Sequence, residues 1–324
     1  MTRMGRGIQG VILAAGKGTR LGKLTTNRSK AMLPILGKPI VERVMEDLAA
    51  NGVEDFILVI SPDDRHITRY FREESGLGVR VRFITQPEPL GMAKALQCAA
   101  PFITGDFILS ACDNLTSAEH IGRMIERLGE ADQPNAVLSL MRVEPEYLSS
   151  TAVVAIEDGW VRRIIEKPSL KEAPSELASL PLYLFTPRIL DYLPRVGLSQ
   201  RGEYELQDAI QMLIEGEGRV CGVMAEGRLN LTDAADLLAI NLYYLSKTSE
   251  QQELSLREVG LGTRFIPPVY IGSGTRIGAY CRIGPQVYIE GDCWIGDLAL
   301  IREAVILRGV RIPAGSRIEK RVVA

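Results

Sequence analysis

The sequence predicts an α/β chain: a doubly wound, mostly parallel sheet in residues 1–245, then a polar linker, then a short parallel β-helix in 259–324. Three observations carry this. Short, continuously apolar runs alternate with helix-like segments up to residue 245. Beyond residue 258, apolar side chains recur at every sixth position. The length, 324 residues, exceeds one average domain and allows two cores.

Residues 10–15 read GVILAA, apolar on both faces, as a strand inside a parallel sheet must be. Residues 55–60, 79–84 and 106–111 repeat the pattern, and the last two stop at Thr85-Gln86-Pro87 and Cys112-Asp113-Asn114. Residues 40–50 place Val41, Val44, Met45 and Leu48 on one helical face. Ser61-Pro62-Asp63 opens a second helix, and 91–100 form a third. In such βαβ units ligands bind beyond the carboxyl ends of the strands. Residues 14–20, 86–91 and 113 fall at those ends.

In the tail, Val259, Phe265, Ile271, Ile277, Ile283, Ile289, Ile295 and Ile301 lie six apart. Ile312 and Ile318 resume the spacing after one slipped residue. Neither a helix nor an alternating strand has this period. A coil with flat six-residue sides does, each side pointing one apolar side chain inward. Residues 246–258 (SKTSEQQELSLRE) are polar and read as the linker.

Composition narrows the function. Hydrophobic residues make up 46% and charged residues 24%, which excludes disordered and fibrous classes. The charge balance, 38 − 40 = −2, lacks the basic footprint of a nucleic-acid binder. His66 and His120 are the only histidines, so little histidine acid–base or zinc chemistry is available. The five cysteines form no CxxC pair and read as small buried hydrophobes. No apolar run approaches the roughly 20 residues of a membrane span, and residues 1–7 lack the apolar core of a signal peptide. The expectation is a cytoplasmic protein with no membrane or nucleic-acid partner.

After the first strand comes Leu13-Ala14-Ala15-Gly16-Lys17-Gly18-Thr19-Arg20. Two glycines let the backbone approach a ligand, and successive N–H groups can cradle phosphate. The dinucleotide pattern G-x-G-x-x-G fails at Leu21, and no G-x-x-x-x-G-K-[ST] is present. Arg20 and Lys30 add two cations beside the loop, which suits a nucleoside triphosphate. The plainer reading is a glycine turn next to two solvated side chains.

The stretch LAAGKGTRLGKLTTNRSKAMLPILGKPI resembles the signature of sugar-1-phosphate nucleotidylyltransferases, the nucleotide-sugar pyrophosphorylases. The similarity continues through Gln86-Pro87-Glu88-Pro89-Leu90-Gly91, Asp113, Glu166-Lys167-Pro168 and Gly202-Glu203-Tyr204-Glu205-Leu206, covering most of 8–245. The tail resembles left-handed hexapeptide-repeat β-helices. The resemblance implies a Rossmann-like catalytic domain that moves a nucleotidyl group from dTTP or UTP to a sugar 1-phosphate, glucose 1-phosphate first, with Mg²⁺ as cofactor. The nucleophile is then a phosphate whose second pKa is about 6. It is already ionised, so the scarcity of histidine is no obstacle.

Carried over from the family, Arg20 and Lys30 are catalytic. Leu13, Ala14, Ala15, Gly16, Gly18, Thr19, Gln86 and Gly91 would bind the nucleotide, with Gln86 and the 14–16 backbone reading a pyrimidine edge. Glu166, Lys167, Ala152 and Ser179 would bind the sugar phosphate. Asp113 and Asn230 would hold Mg²⁺. The family more often has Asp at position 230; Asp233 is the alternative ligand, or else a helix N-cap. Ser29 stands where the family has proline, Ala152 where it often has glycine, and Ser179 and Pro181 replace an Asn and a Gly before Tyr183.

The alternatives within the class are a mannose-1-phosphate guanylyltransferase and an N-acetylglucosamine-1-phosphate uridylyltransferase. A silent subunit that binds nucleotide sugar is the alternative of another class. Acetyl transfer by the tail is disfavoured because 259–324 contain no histidine to act as base. The tail is expected to support a homo-oligomer.

Overall fold

A computed structural model describes residues 7–16, 18–247 and 253–324. The chain divides into two compact units that cut across the expected boundary. One comprises residues up to 17 with 41–228; the other comprises 18–40 with 229–324.

The first unit is built on a nine-stranded sheet. Its strands are β1 (Gln9–Leu13), β2 (Asp55–Ile60), β3 (Arg80–Thr85), β4 (Phe107–Ala111), β5 (Ala136–Arg142), β6 (Ala152–Glu157), β7 (Trp160–Glu166), β8 (Leu177–Phe185) and β9 (Val220–Met224). The main path runs β7-β6-β8-β4-β1-β2-β3, with β5 paired to β8 and β9. β4, β1, β2 and β3 are mutually parallel. Their apolar runs are continuous because both faces are covered: Val11, Ile12, Leu58 and Phe107 have no exposed surface. Helices α1 (Ile40–Ala49), α2 (Arg65–Glu73), α3 (Met92–Ala99), α4 (Ala118–Leu128) and α5 (Leu206–Glu217) follow. α1 buries Val41, Val44, Met45 and Leu48, the face read from the sequence. The second helix starts later than expected, because Asp64 caps it by accepting from the Ile67 N–H at 3.2 Å.

Beyond β4 the sheet is not mostly parallel. β8 runs antiparallel to β4, β5 and β6, and β7 runs antiparallel to β6. The β6–β7 connection shows why. Only Asp158 and Gly159 separate the strands, at φ 51° and 80°. Two left-handed residues make a tight hairpin turn, and a two-residue link permits only antiparallel strands. In β8, Pro181 sits within the register break between Ser179 and Tyr183, where its missing N–H costs no ladder bond.

In the second unit, α6 (Ala234–Lys247) precedes β10 (Glu253–Val259), β11 (Arg264–Phe265), β12 (Val269–Ile277), β13 (Arg282–Ile283), β14 (Val287–Ile289), β15 (Trp294–Ile295), β16 (Leu300–Ile306), β17 (Arg311–Ile312) and β18 (Arg317–Val323). The expected linker is therefore partly regular structure. Residues 246–247 end α6, 248–252 lie outside the described residues, and 253–258 belong to a strand paired with β12.

All pairing in this tail is parallel and carries the six-residue period. One ladder joins Phe265, Ile283, Ile301 and Ile318; a second joins Ile271, Ile289, Ile306 and Val323; a third joins Val259, Ile277, Ile295 and Ile312. From the Glu258–Arg276 pair onward, after register shifts at the start of β10, steps are 18 residues until Val287 pairs with Ala304, where they become 17. The slip lies between Ile301 and Ile306, in the bend at Glu303, whose φ is 45°. Val259 is 42% exposed and does not point into the core as expected. It ends its ladder, with Ile277 beside it on one side only among the described residues. Cys281 and Cys293 are buried with the isoleucines, and all five cysteines are free thiols. Among the described residues no helix is long and apolar enough to cross a membrane.

Candidate functional site

The parallel strands of the first unit deliver three groups at their carboxyl ends. Ala14 follows β1, Gln86 follows β3, and Asp113 follows β4 with one residue between. Backbone bonds set this edge: Ala14 N–H donates to the Val59 carbonyl at 2.7 Å, Gln86 N–H to Ile60 at 2.9 Å, and Cys112 N–H to Leu13 at 3.2 Å. The Ala14 N–H is thus already used, and a ligand at this loop is left with donors after it. Ala14 and Ala15 are buried, and Gly16 is exposed. The Gln86 carboxamide is buried and donates from Nε2 to the Gly91 carbonyl at 3.3 Å. Gly91 is among the residues that the resemblance gives to the nucleotide. Its φ is 100°, and the atoms that a Cβ would meet are the Tyr204 backbone oxygen and nitrogen, at 2.6 and 2.9 Å.

Asp113 is 8% exposed, and its neighbour Asn114 is fully buried. Both amide atoms of Asn114 lack a hydrogen-bond partner among the described residues, an orphaned polar group beside a carboxylate that sequence reasoning passed over. Among the described residues no three His, Cys, Asp or Glu side chains cluster to cage a metal. Mg²⁺ takes one or two protein carboxylates and completes its shell with phosphate oxygens and water, so a carboxylate such as Asp113 at a strand end has the donor chemistry for it.

A second group forms a row across three strands. Glu166 pairs with Ala152, and Ala152 pairs with Ser179. Lys167 directly follows β7 with φ 45°, uncommon for a residue with a side chain. Its N–H donates to Thr151 at 3.1 Å, and its ammonium lies 3.6 Å from Glu166 Oε1. Arg201 completes the group, 3.6 Å from Glu166 Oε1 and 2.6 Å from Glu205 Oε1. Sequence reasoning missed Arg201, although it directly precedes the Gly202–Leu206 motif. Burial pushes the Glu166 carboxyl above the usual carboxylate range; Lys167 and Arg201 pull it down, and Glu205 adds to the rise. These side chains line a cavity of about 670 Å³ that also touches Arg163 and Asp208. Such a cavity, lined by both cations and carboxylates, can take an anion bearing hydroxyl groups.

In the second unit, Gly18 adopts φ 60° and precedes a 3₁₀ turn at Thr19–Thr25. Thr19 and Arg20 are exposed on this turn, while Leu21 is buried beneath it. Lys30 is half-buried at the start of a second 3₁₀ turn, Lys30–Met32. The Gly18 backbone adjoins the base of the Lys30 side chain: a Cβ on Gly18 would lie 3.1 Å from Lys30 Cβ. Asn230 donates from Nδ2 to Thr232 Oγ1 at 2.8 Å; an amide oxygen is the atom of this side chain with cation-binding chemistry. Asp233 caps α6. Its Oδ1 accepts from Ala235 and Asp236 N–H at 2.8 and 3.0 Å, and Asp236 accepts back from the Asp233 N–H at 3.3 Å. This reciprocal capping box occupies Asp233 structurally.

The chain is similar to known proteins over nearly its whole length. A family described as nucleotidyl transferase matches residues 9–246, and one described as GMPPB C-terminal domain matches 265–324. A glucose-1-phosphate thymidylyltransferase of Streptomyces griseus is 30% identical, with 98% of this chain and 92% of that protein covered. A UTP–glucose-1-phosphate uridylyltransferase of Haloferax volcanii is 34% identical over 68% of this chain and 89% of its own length. A bifunctional protein GlmU of Methanococcus maripaludis is 34% identical over 73% of this chain and 54% of its own. A crystal structure of a UDP-glucose pyrophosphorylase complexed with UDP-glucose shares the fold, with a TM-score of 0.69 at 20% identity, covering 75% of this chain and all of that one. The chain belongs to the nucleotidyl transferase family and is a nucleotidyltransferase.

Proposed function

We propose that the chain transfers a nucleotidyl group from dTTP or UTP to a sugar 1-phosphate, glucose 1-phosphate first, and releases pyrophosphate. The observation that carries this reading is the Glu166–Lys167–Arg201 group in its cavity, with cations for a phosphate and carboxylates for sugar hydroxyls. The names of the thymidylyl and uridylyl relatives favour a pyrimidine donor and glucose 1-phosphate.

In this reading the sugar phosphate oxygen attacks the α-phosphate in line and pyrophosphate leaves. Lys167 and Arg201 hold the phosphate of the nucleophile, and Glu166 accepts from sugar hydroxyls. Arg20 and Lys30 hold the triphosphate and offset charge developing on the leaving group. Gln86 pairs with the pyrimidine edge. Asp113 and Asn230 hold Mg²⁺, which when bound neutralises phosphate charge. The tail is read as a left-handed β-helix that supports a homo-oligomer, and the enzyme as cytoplasmic.

A grid of nucleoside triphosphates against sugar 1-phosphates, followed by pyrophosphate release with and without Mg²⁺, tests the proposal. Turnover is expected with dTTP or UTP and glucose 1-phosphate. Turnover confined to GTP with mannose 1-phosphate, or to UTP with N-acetylglucosamine 1-phosphate, would replace the substrate assignment. Asn230, in place of the more frequent Asp, is the feature that favours the N-acetylglucosamine reading.

A further inference from the structure

The segment that carries Arg20 and Lys30 groups with the C-terminal sheet. Three sets of bonds fasten it there. Arg28 Nη1 donates to Glu290 Oε1 at 2.7 Å. The Gly37 N–H donates to the Tyr288 hydroxyl at 3.0 Å. Asn241 of α6 accepts from the Leu36 N–H at 3.0 Å and donates to the Pro34 carbonyl at 3.1 Å. Tyr288 lies in β14, and Glu290 directly follows it, so one edge of the tail grips the segment at two points.

Each anchor is built to hold. The Glu290 side chain is 9% exposed, and its second oxygen accepts from the Arg308 N–H at 2.8 Å. A carboxylate with both oxygens engaged has little freedom to turn. Tyr288 is fully buried, and burial raises its phenol above the usual range, with Glu290 adding to the rise, so it stays neutral. Arg28 lies two residues before Lys30, and the base of Lys30 adjoins Gly18, two residues before Arg20. Arg28 is thus joined by a few bonds and one close contact to both catalytic cations.

We propose that Glu290 and Tyr288 are positioning residues for nucleotidyl transfer: through Arg28 and Gly37 the C-terminal sheet sets where Arg20 and Lys30 sit. This rests on the reading that those two cations act on the triphosphate. It gives the tail a catalytic duty separate from assembly. Catalysis by fixed charge depends on placement, and a shift of about 1 Å can cost about 100-fold in rate.

The test uses the full chain with Glu290→Gln, Arg28→Ala, the double variant, and Glu319→Gln as a control. Glu319 pairs with Arg302 and Arg317 inside the tail. Each single variant should lower kcat about 10- to 100-fold while KM for the sugar 1-phosphate stays within about twofold. The double variant should be no worse than the poorer single, because both act through one bond, and Glu319→Gln should match the wild type. A merely structural role would lower the melting temperature and leave kcat of the folded enzyme unchanged, which would overturn the proposal, as would additive losses. Hydrogen–deuterium exchange provides a readout free of activity. Glu290→Gln should speed exchange in residues 18–33 and leave 107–115 unchanged; unchanged exchange in 18–33 would also overturn it. A wild type inactive with every substrate pair would instead reject the substrate reading, and the exchange result would stand separately.

Discussion

Gly91 and Tyr204 are in backbone contact: the Tyr204 N–H donates to the Leu90 carbonyl at 2.8 Å, and the Ala93 N–H donates back to the Tyr204 carbonyl at 3.1 Å. Gly91 is glycine because any Cβ would press on that chain, 2.6 Å from the Tyr204 oxygen, at a φ of 100° that other residues avoid. Gly91→Ala should cost at least about 2 kcal/mol, a drop of roughly 5–10 °C in Tm. It should also raise KM for the triphosphate, because the Gly91 carbonyl holds Gln86. Thermal unfolding and steady-state kinetics on the same sample check both, and an unchanged Tm would remove the packing argument.

Lys167 is a second test position. Lys167→Ala should raise KM for the sugar 1-phosphate by at least about 10-fold, the loss of one charge-assisted contact, with kcat changed only a few-fold. It also removes a cation that pulls the Glu166 carboxyl down, so that carboxyl should titrate still higher than in the wild type. NMR titration of Glu166 reads the direction.

Asp47 on α1 provides a pH test of stability. Burial pushes its carboxyl up to about 7; Glu46 and Glu119 add to the rise, and Arg43 opposes it. A raised carboxyl binds its proton more tightly in the native state than in the unfolded chain. Its contribution to stability is complete below the ordinary carboxylate range and is lost as pH rises toward about 7. Asp47→Asn should therefore stabilise the protein by about 2 kcal/mol at pH 8 and hardly at all at pH 4. Denaturant unfolding at the two pH values measures the difference, and an equal effect at both would place the Asp47 titration elsewhere.

Ser29 is a stabilisation test. Its φ of −70° lies within proline's range, and its hydroxyl is buried without a partner among the described residues. Ser29→Pro removes the orphaned hydroxyl and narrows the unfolded ensemble. A gain of about 0.5–1 kcal/mol with kcat unchanged is expected. A lower Tm would show that the preceding Arg28 cannot accept a proline after it.

The parallel strands were legible because burial on both faces leaves continuous apolar runs. The segments read at 55–60, 79–84 and 106–111 are found at 55–60, 80–85 and 107–111. The six-residue period was legible because each repeat contributes one inward side chain. The hairpin at Asp158-Gly159 carried a local signal that was passed over. The antiparallel half of the sheet follows partly from it. Of the site, Asp113 was visible as a residue closing a strand-like run, and Lys167 through the family resemblance. Arg201 was hidden because it reaches Glu166 from a position far along the chain.

The amino-acid sequence by itself determined the family, the two kinds of sheet and most of the polar groups at strand ends, since each is written in local pattern or spacing. Only the tertiary structure decided that residues 18–40 group with the tail and that Tyr204 occupies the space beside Gly91. The Arg28–Glu290 bond spans 262 residues. No periodicity encodes such a contact, because its partners meet only after each has been placed by a separately folded stretch of backbone.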